Sequence, residues 1–126
     1  MFESFQTIID MLSKAQRIRA HTLRTLNGKG YSYHCPLLFL SLYKNPNPSL
    51  SSFAVICSKK IAKHAVDRNK LRRQVYGVLG LLVPTIKPGY ICVFTLKKSI
   101  CGAEQDVRFE AIQTSVLFVL NDAHLV

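Results

Sequence analysis

The residues with the clearest capacity for chemistry form a basic run, SKKIAKHAVDRNKLRRQ, at positions 58–74. This run holds seven lysines and arginines but only one acid, Asp67. A helix face that is charged only for solubility usually mixes both signs, because neighbouring opposite charges stabilise each other. The run is therefore better explained as a binding surface for a polyanion. The alternative interpretation is a solvated helix face.

The charge of the whole chain supports the same interpretation. Its net charge is +10 over 126 residues, and residues 11–98 hold 16 of the 17 lysines and arginines with Asp67 as their one acid. A field of one sign over most of a chain favours nucleic acid or an anionic membrane as partner. No segment approaches the roughly 18 apolar residues that a spanning helix needs, and the N-terminus lacks the basic region of a signal peptide. We therefore predict a nucleic-acid partner and no membrane.

Two types of residue that often mark catalytic or metal sites have ordinary explanations here. The cysteines lack the spacing of a zinc site, and three of them lie in or beside apolar runs, which predicts buried, reduced thiols and a cytoplasmic location. His21 and His64 are expected on exposed helices or loops. His34 is expected beside a strand, and His124 in a fraying tail. We predict no catalytic and no metal-binding residue in this chain.

Periodicity and turn residues place these side chains on an alternation of helices and strands. Ser13 begins one predicted helix that ends at Asn27–Gly30, and Asp67 caps a second that ends at Pro84. The predicted strands are residues 31–43, which can hold an extra strand, then 53–57 and 90–98, and the last helix covers 104–120. The predicted order of elements is α–β–β–α–β–α, and it becomes αβββαβα when the extra strand is counted. This order predicts an α/β (α+β) two-layer sandwich, in which helices pack on a small sheet.

The first predicted strand has two apolar faces. Leu38, Leu40 and Leu42 form one set and Phe39, Ser41 and Tyr43 the other, because successive side chains of a strand point to opposite faces. One face is expected in the core and the other on a partly open surface.

The basic run also resembles the signature of the protein subunit of bacterial ribonuclease P: a strand ending in Ser-Lys-Lys, a short basic loop, then Arg-Asn-Arg/Lys-x-Lys/Arg-Arg opening a helix. The matching residues are Ser58, Lys59, Lys60, Arg68, Asn69, Lys70, Arg72 and Arg73. MLSKAQRI, GKGYSYHCPLLFLSLYK and KPGYICVFTLKK are similar to other segments of that family, so the resemblance covers roughly residues 11–120. It leaves residues 1–10 as an N-terminal extension and makes residues 11–126 one RNA-binding domain.

The resemblance implies a function and a set of partners. The family's protein binds the large catalytic RNA of ribonuclease P, which holds Mg²⁺ and removes the 5′ leader of precursor tRNA, and no protein partner is required. The family fold is a mixed sheet with a left-handed βαβ crossover. The candidate RNA-binding residues are Lys59, Lys60, Lys63, Arg68, Asn69, Lys70, Arg72 and Arg73.

A single-stranded leader needs stacking faces and apolar walls, and the family holds it in a cleft between the sheet and the first helix. The candidates for this cleft are Leu23, Phe39, Ser41 and Tyr43. Packing in the core explains the same residues equally well. Tyr31 and Tyr33 are further candidates with less support. The family usually carries aromatic residues in the first helix, where this chain has Leu23 and Asn27. A general RNA-binding or RNA-chaperone module without a ribonuclease P partner, and a self-sufficient nuclease, remain the alternative functions.

Overall fold

The computed structural model describes residues 30–45, 48–49, 51–102 and 105–126 of the chain. The predicted first helix, the proposed extension at residues 1–10 and the cleft candidate Leu23 lie outside the described residues.

Four strands form one mixed sheet: β1 (Tyr31–His34), β2 (Leu38–Lys44), β3 (Ser52–Ile56) and β4 (Tyr90–Leu96). Their order across the sheet is β1-β2-β4-β3. β2 pairs antiparallel with both β1 and β4, whereas β3 pairs parallel with β4. The extra strand that residues 31–43 could hold is therefore present as β1, and the small mixed sheet is confirmed.

The described residues form two long helices, α1 (Ala65–Leu82) between β3 and β4 and α2 (Gln105–Asp122) after β4, with 3-10 turns at Val83–Thr85 and Lys98–Gly102. α1 begins two residues before the predicted cap. His64 is the N-cap, with an extended backbone (φ −92°, ψ 138°), and Asp67 is the acid of the first turn. The predicted capping role of Asp67 is thus wrong, although its carboxylate still lies near the positive end of the helix, where negative charge is favourable.

The core lies between the sheet and the two helices. The predicted face of β2 (Leu38, Leu40, Leu42) is buried, and β4 and β3 contribute Phe94 and Phe53 to the same cluster. The helices add the apolar stripes that their periodicity predicts, and these fully buried side chains are Val75, Val78, Leu79, Ile112, Val116, Val119 and Leu120. One layer of helices thus covers one face of the sheet, which confirms the two-layer sandwich.

The connection from β3 to β4 runs through α1 and joins two parallel neighbours. α1 therefore starts at the end of the sheet where β3 ends and returns to the end where β4 begins. This β–α–β unit matches the crossover that the family resemblance implies, and its left-handedness stays a prediction. Gly89, just before β4, has φ +96°, a conformation that favours glycine, and it completes the Pro-Gly-Tyr turn.

The C-terminal residues are fixed to the body of the protein. The amide of Leu125 donates to the carbonyl of Leu120 over 2.9 Å, and the amide of Lys87 donates to Leu125 over 2.9 Å. His124 between them has φ +59°, the left-handed conformation that commonly ends a helix. The expectation of a fraying tail at His124 is wrong, because the buried Leu125 side chain anchors this segment in the core.

Three of the cysteines, Cys35, Cys57 and Cys92, are free thiols and are buried. Burial raises the pKa of the Cys92 thiol to about 12, because the charged thiolate would lose its hydration. These residues behave as the small core side chains that the sequence predicts.

Candidate nucleic-acid interface

The basic run begins in a tight turn beyond β3. The family signature predicts a strand that ends in Ser-Lys-Lys. In the structure β3 already ends at Ile56, so Lys59 and Lys60 lie beyond the strand. The amides of Ile61 and Ala62 donate to the Ser58 carbonyl over 3.0 and 3.3 Å. These bonds close the chain on itself and leave both lysine side chains exposed.

The turn and the loop are held to α1 by Arg68. Its Nη1 donates to the carbonyl of Lys63 over 2.9 Å and to that of Ala62 over 3.1 Å. Arg68 as a whole is half-buried. Loop and helix start are therefore one unit, at the end of the sheet where β3 ends.

The remaining candidates lie along the first two turns of α1. Arg72 is half-buried beside the apolar stripe and its guanidinium donates to the amide oxygen of Asn69. Asn69, Lys70 and Arg73 are exposed. The helix thus packs one side on the core and presents amide, ammonium and guanidinium donors on the other, which is a donor set suited to phosphate oxygens.

One detail of the predicted site needs correction. A helix capped by Asp67 would place Asn69 and Lys70 in its first turn, but α1 starts at Ala65, so they fall in its second turn. The amide of Arg68 already donates to the His64 carbonyl over 3.1 Å. The amides left without an intrahelical acceptor are those up to Asp67, so phosphate contacts of Asn69 and Lys70 must come from their side chains.

Two further lysines reach the same end of the sheet and were missed as site residues. Lys97 and Lys98 directly follow β4, and β4 is parallel to β3, so its end lies beside the end of β3. Lys98 is exposed, whereas Nζ of Lys97 donates to the carbonyl of Cys35 over 2.9 Å. The sequence signal was present, since both strands are followed by a lysine pair, but it required the strands to be known as parallel neighbours.

We refer to the lysines at this end of the sheet as the basic edge; its members are Lys59, Lys60, Lys63, Lys97 and Lys98. The basic edge adjoins the exposed side of α1 on the helical face of the sheet. On the opposite side it adjoins the second face of the sheet, the face that α1 and α2 do not cover.

The second face carries the three described cleft candidates. Phe39, Ser41 and Tyr43 are half-buried and alternate with the buried leucines of β2, as predicted. Each of them begins a row that continues across β4 and then β3. The rows are Phe39–Thr95–Ile56, Ser41–Val93–Ala54 and Tyr43–Ile91–Ser52. Ala54, Ile91 and Val93 form a separate buried cluster on which Tyr43 packs. The centre of this face is thus apolar, and its Phe39 end lies next to the basic edge.

Tyr31 and Tyr33, the weaker cleft candidates, belong to the other face. They pair with Leu42 and Leu40, the buried set of β2. Tyr33 packs against the main core, and Tyr31 is 72% exposed at the margin of the sheet. Their assignment to the leader cleft is therefore not supported by the strand register.

Two features of the described part of the chain bear on other classes of function. None of its helices combines the length and the hydropathy of a membrane span. Within the same residues, no three His, Cys, Asp or Glu side chains are grouped as ligands for a metal ion.

The sequence of the chain is similar to those of known proteins. A family model described as Ribonuclease P matches residues 12–123. The ribonuclease P protein component of Rippkaea orientalis is 30% identical over 104 residues, which cover 77% of this chain and 82% of that protein. The same component of Microcystis aeruginosa is 38% identical over 86 residues, covering 64% of this chain and 72% of that protein.

Solved structures show the same fold. The RNase P protein of Staphylococcus aureus superimposes with a TM-score of 0.74 at 21% identity, covering 89% of this chain and 98% of that one. The RNase P protein of Thermotoga maritima gives a TM-score of 0.68 at 22% identity, with coverage of 82% and 94%.

Proposed function

The chain belongs to the ribonuclease P protein family, and we propose that it binds the large catalytic RNA of that enzyme together with the 5′ leader of precursor tRNA. Membership supports a role as a subunit of ribonuclease P, in tRNA processing, with an RNA partner. The assignment of particular surfaces to particular RNAs is the proposed part. The observation that carries it is the convergence of the basic edge and the exposed side of α1 at one end of the sheet.

The catalytic RNA docks on α1 and the loop before it. Lys59, Lys60 and Lys63 supply exposed ammonium groups, and the exposed Lys70 and Arg73 continue the charge along the helix. Arg68 and Arg72 are held in place by their bonds to the loop and to Asn69, so less side-chain freedom is lost when RNA binds. Counterion release from the RNA drives the association and makes it depend on salt.

The leader lies on the second face. Single-stranded RNA binds to proteins through stacking and apolar contact for its bases and positive charge for its backbone. Phe39 and Tyr43, which are half-buried, offer rings, and the basic edge offers charge at one end. The two RNAs therefore meet the protein on adjoining surfaces, and its lysines reduce the repulsion between them.

The chemistry of leader removal belongs to the RNA in this proposal. In the described part of the chain, no three His, Cys, Asp or Glu side chains are grouped as ligands for a metal ion. We place the Mg²⁺ ions mainly in the partner RNA and assign the protein no catalytic residue. The protein acts by binding and screening charge, in the bacterial cytoplasm and without a further protein partner.

Reconstitution tests the function directly. Precursor tRNA is incubated with the cognate large RNA at low Mg²⁺, with and without this chain, and 5′ cleavage is followed on a gel. Stimulated cleavage that requires both components is the expected result. Cleavage by the chain alone would instead identify a self-sufficient nuclease.

The same assay separates the remaining alternative. A general RNA-binding module predicts similar affinity for unrelated structured RNAs and no stimulation of 5′ cleavage. Binding to the large RNA is therefore measured against a structured RNA of equal length, and equal affinities together with no stimulation would contradict the proposal.

A further inference from the structure

His34 and Phe39 form an aromatic pair at one end of the second face. Their ring centroids are 4.9 Å apart and their planes are inclined by 23°, which is a stacked arrangement. The two residues are partners across the β1–β2 ladder, and Phe39 also pairs with Thr95 of β4. Because β4 ends just after Thr95, the aromatic pair lies at the end of the sheet that carries Lys97 and Lys98.

The turn that presents this pair is tightly fastened. The amide of Lys97 donates to Leu37 over 2.8 Å, its Nζ donates to Cys35 over 2.9 Å, and the hydroxyl of Ser99 donates to Pro36. The turn is therefore bonded at three successive carbonyls to the segment after β4. A surface held in its binding geometry loses less freedom when a ligand arrives.

The pair differs from the other candidates for base stacking on this face. The middle row has Ser32 and Ser41 and therefore no ring. Tyr43 packs on the apolar cluster, and a Cβ atom added at Gly30 would lie 2.8 Å from its ring, so this ring is closely surrounded. His34 is exposed, so solvent reaches its side chain.

We propose that the His34–Phe39 pair is a stacking platform for one nucleobase of single-stranded RNA, with the exposed Lys98 at the same end of the sheet contacting the backbone phosphate. Stacking on an aromatic ring tolerates any base, and a neighbouring cation suits the phosphate that follows it. The inference rests on the proposed function, because the RNA it commits to is the leader of precursor tRNA. It places base contact at the end of the second face, and not at its centre, where Ser41 stands.

The experiment uses the complex of this chain with the cognate large RNA. Affinity is measured for precursor tRNA and for the same tRNA without a leader, with wild-type chain and with His34→Ala, His34→Tyr and His34→Lys. His34→Ala and His34→Lys are expected to weaken precursor binding about tenfold, since both lack a ring, while His34→Tyr stays within about twofold of wild type. Binding of the leaderless tRNA should not change.

A matched control and a scan of the leader complete the design. Tyr31→Ala removes an aromatic side chain from the same strand but from the other face, and it should leave precursor binding unchanged. Precursors with a single abasic nucleotide are then tested at each leader position. One position should reproduce the loss seen with His34→Ala, and combining the two changes should add little.

The outcomes separate the two levels of inference. If the wild-type complex binds both tRNAs equally, leader binding fails and the platform fails with it. If the wild type prefers the precursor but His34→Ala does too, the platform is wrong and leader binding stands. Full affinity in His34→Lys would overturn stacking in favour of charge, and a loss that no abasic position reproduces would assign His34 a structural role only.

Discussion

The guanidinium of Arg68 donates a hydrogen bond of 2.9 Å to the main-chain carbonyl of Lys63. A second bond of 3.1 Å from the same nitrogen reaches Ala62. The residue that opens the basic side of α1 therefore also fixes the loop that carries three further positive charges. Removal of Arg68 changes both the charge and the shape of the proposed RNA-binding surface, whereas removal of the exposed Arg73 changes the charge alone.

Arg68→Met is predicted to loosen the loop before α1. The substitution keeps the apolar stem but removes both bonds to the loop carbonyls, each worth about 1.5 kcal/mol for a charged donor before solvent screening. Hydrogen exchange at residues 58–63, followed by mass spectrometry, should become faster. Arg73→Met is the control with the same loss of charge, and equal exchange in the two variants would show that the Arg68 bonds do not hold the loop.

Arg73→Met is predicted to weaken binding to the large RNA without changing protein stability. Its side chain is exposed, so the loss should be that of one phosphate contact. The plot of log affinity against log salt should become less steep by about 0.7–1. Arg68→Met should reduce the slope equally but lose more affinity at every salt concentration, and an unchanged slope for both would place the phosphate contacts elsewhere.

The raised pKa of Cys92 predicts a loss of stability at alkaline pH. The folded pKa is about 12 and the reference value is 9.0, so the folded state holds the proton more tightly than the unfolded state. The contribution is complete below pH 9.0 and declines as pH rises toward 12. Urea unfolding at pH 8 and pH 10.5 should show a smaller decline in Cys92→Ala than in wild type, and equal declines would argue against the shift.

His124→Gly is predicted to stabilise the protein by about 0.5–1 kcal/mol. His124 has φ +59°, and a side chain in this conformation is strained whereas glycine is not. The midpoint of urea denaturation should rise. His124→Ala keeps the strain and removes the imidazole, so it serves as the control and should show no gain.

Much of this fold follows from local pattern. The alternation of Leu38, Leu40 and Leu42 with Phe39, Ser41 and Tyr43 predicts one buried and one open face of β2, because side chains alternate along a strand. The stripes on both described helices are equally local, since their apolar residues recur at helical spacing. These predictions are confirmed by the buried positions.

The rest depends on contacts between distant residues. The residue type of Asp67 favours the cap position, but α1 begins at Ala65 with His64 as its N-cap. Tyr31 could not be assigned to a face until the register of β1 on β2 was known. Lys98 joined the basic edge only because β3 and β4 are parallel neighbours, and a sequence pattern does not state which strands are neighbours.

The central claim is that binding to the large RNA is localised at the basic edge and the start of α1. It is tested by the affinity of two double variants, Lys59→Ala/Lys60→Ala and Lys44→Ala/Lys87→Ala, which each remove two positive charges. Lys44 and Lys87 lie at the opposite end of the sheet, roughly 20 Å away along β4.

We predict that the first pair of substitutions weakens binding to the large RNA about tenfold or more at moderate salt, because two phosphate contacts are lost. The second pair should change the affinity by about twofold at most, since screening limits the reach of charges over that distance. Equal losses for the two pairs would contradict the account, because they would show that the RNA responds to the net charge of the protein and not to this surface.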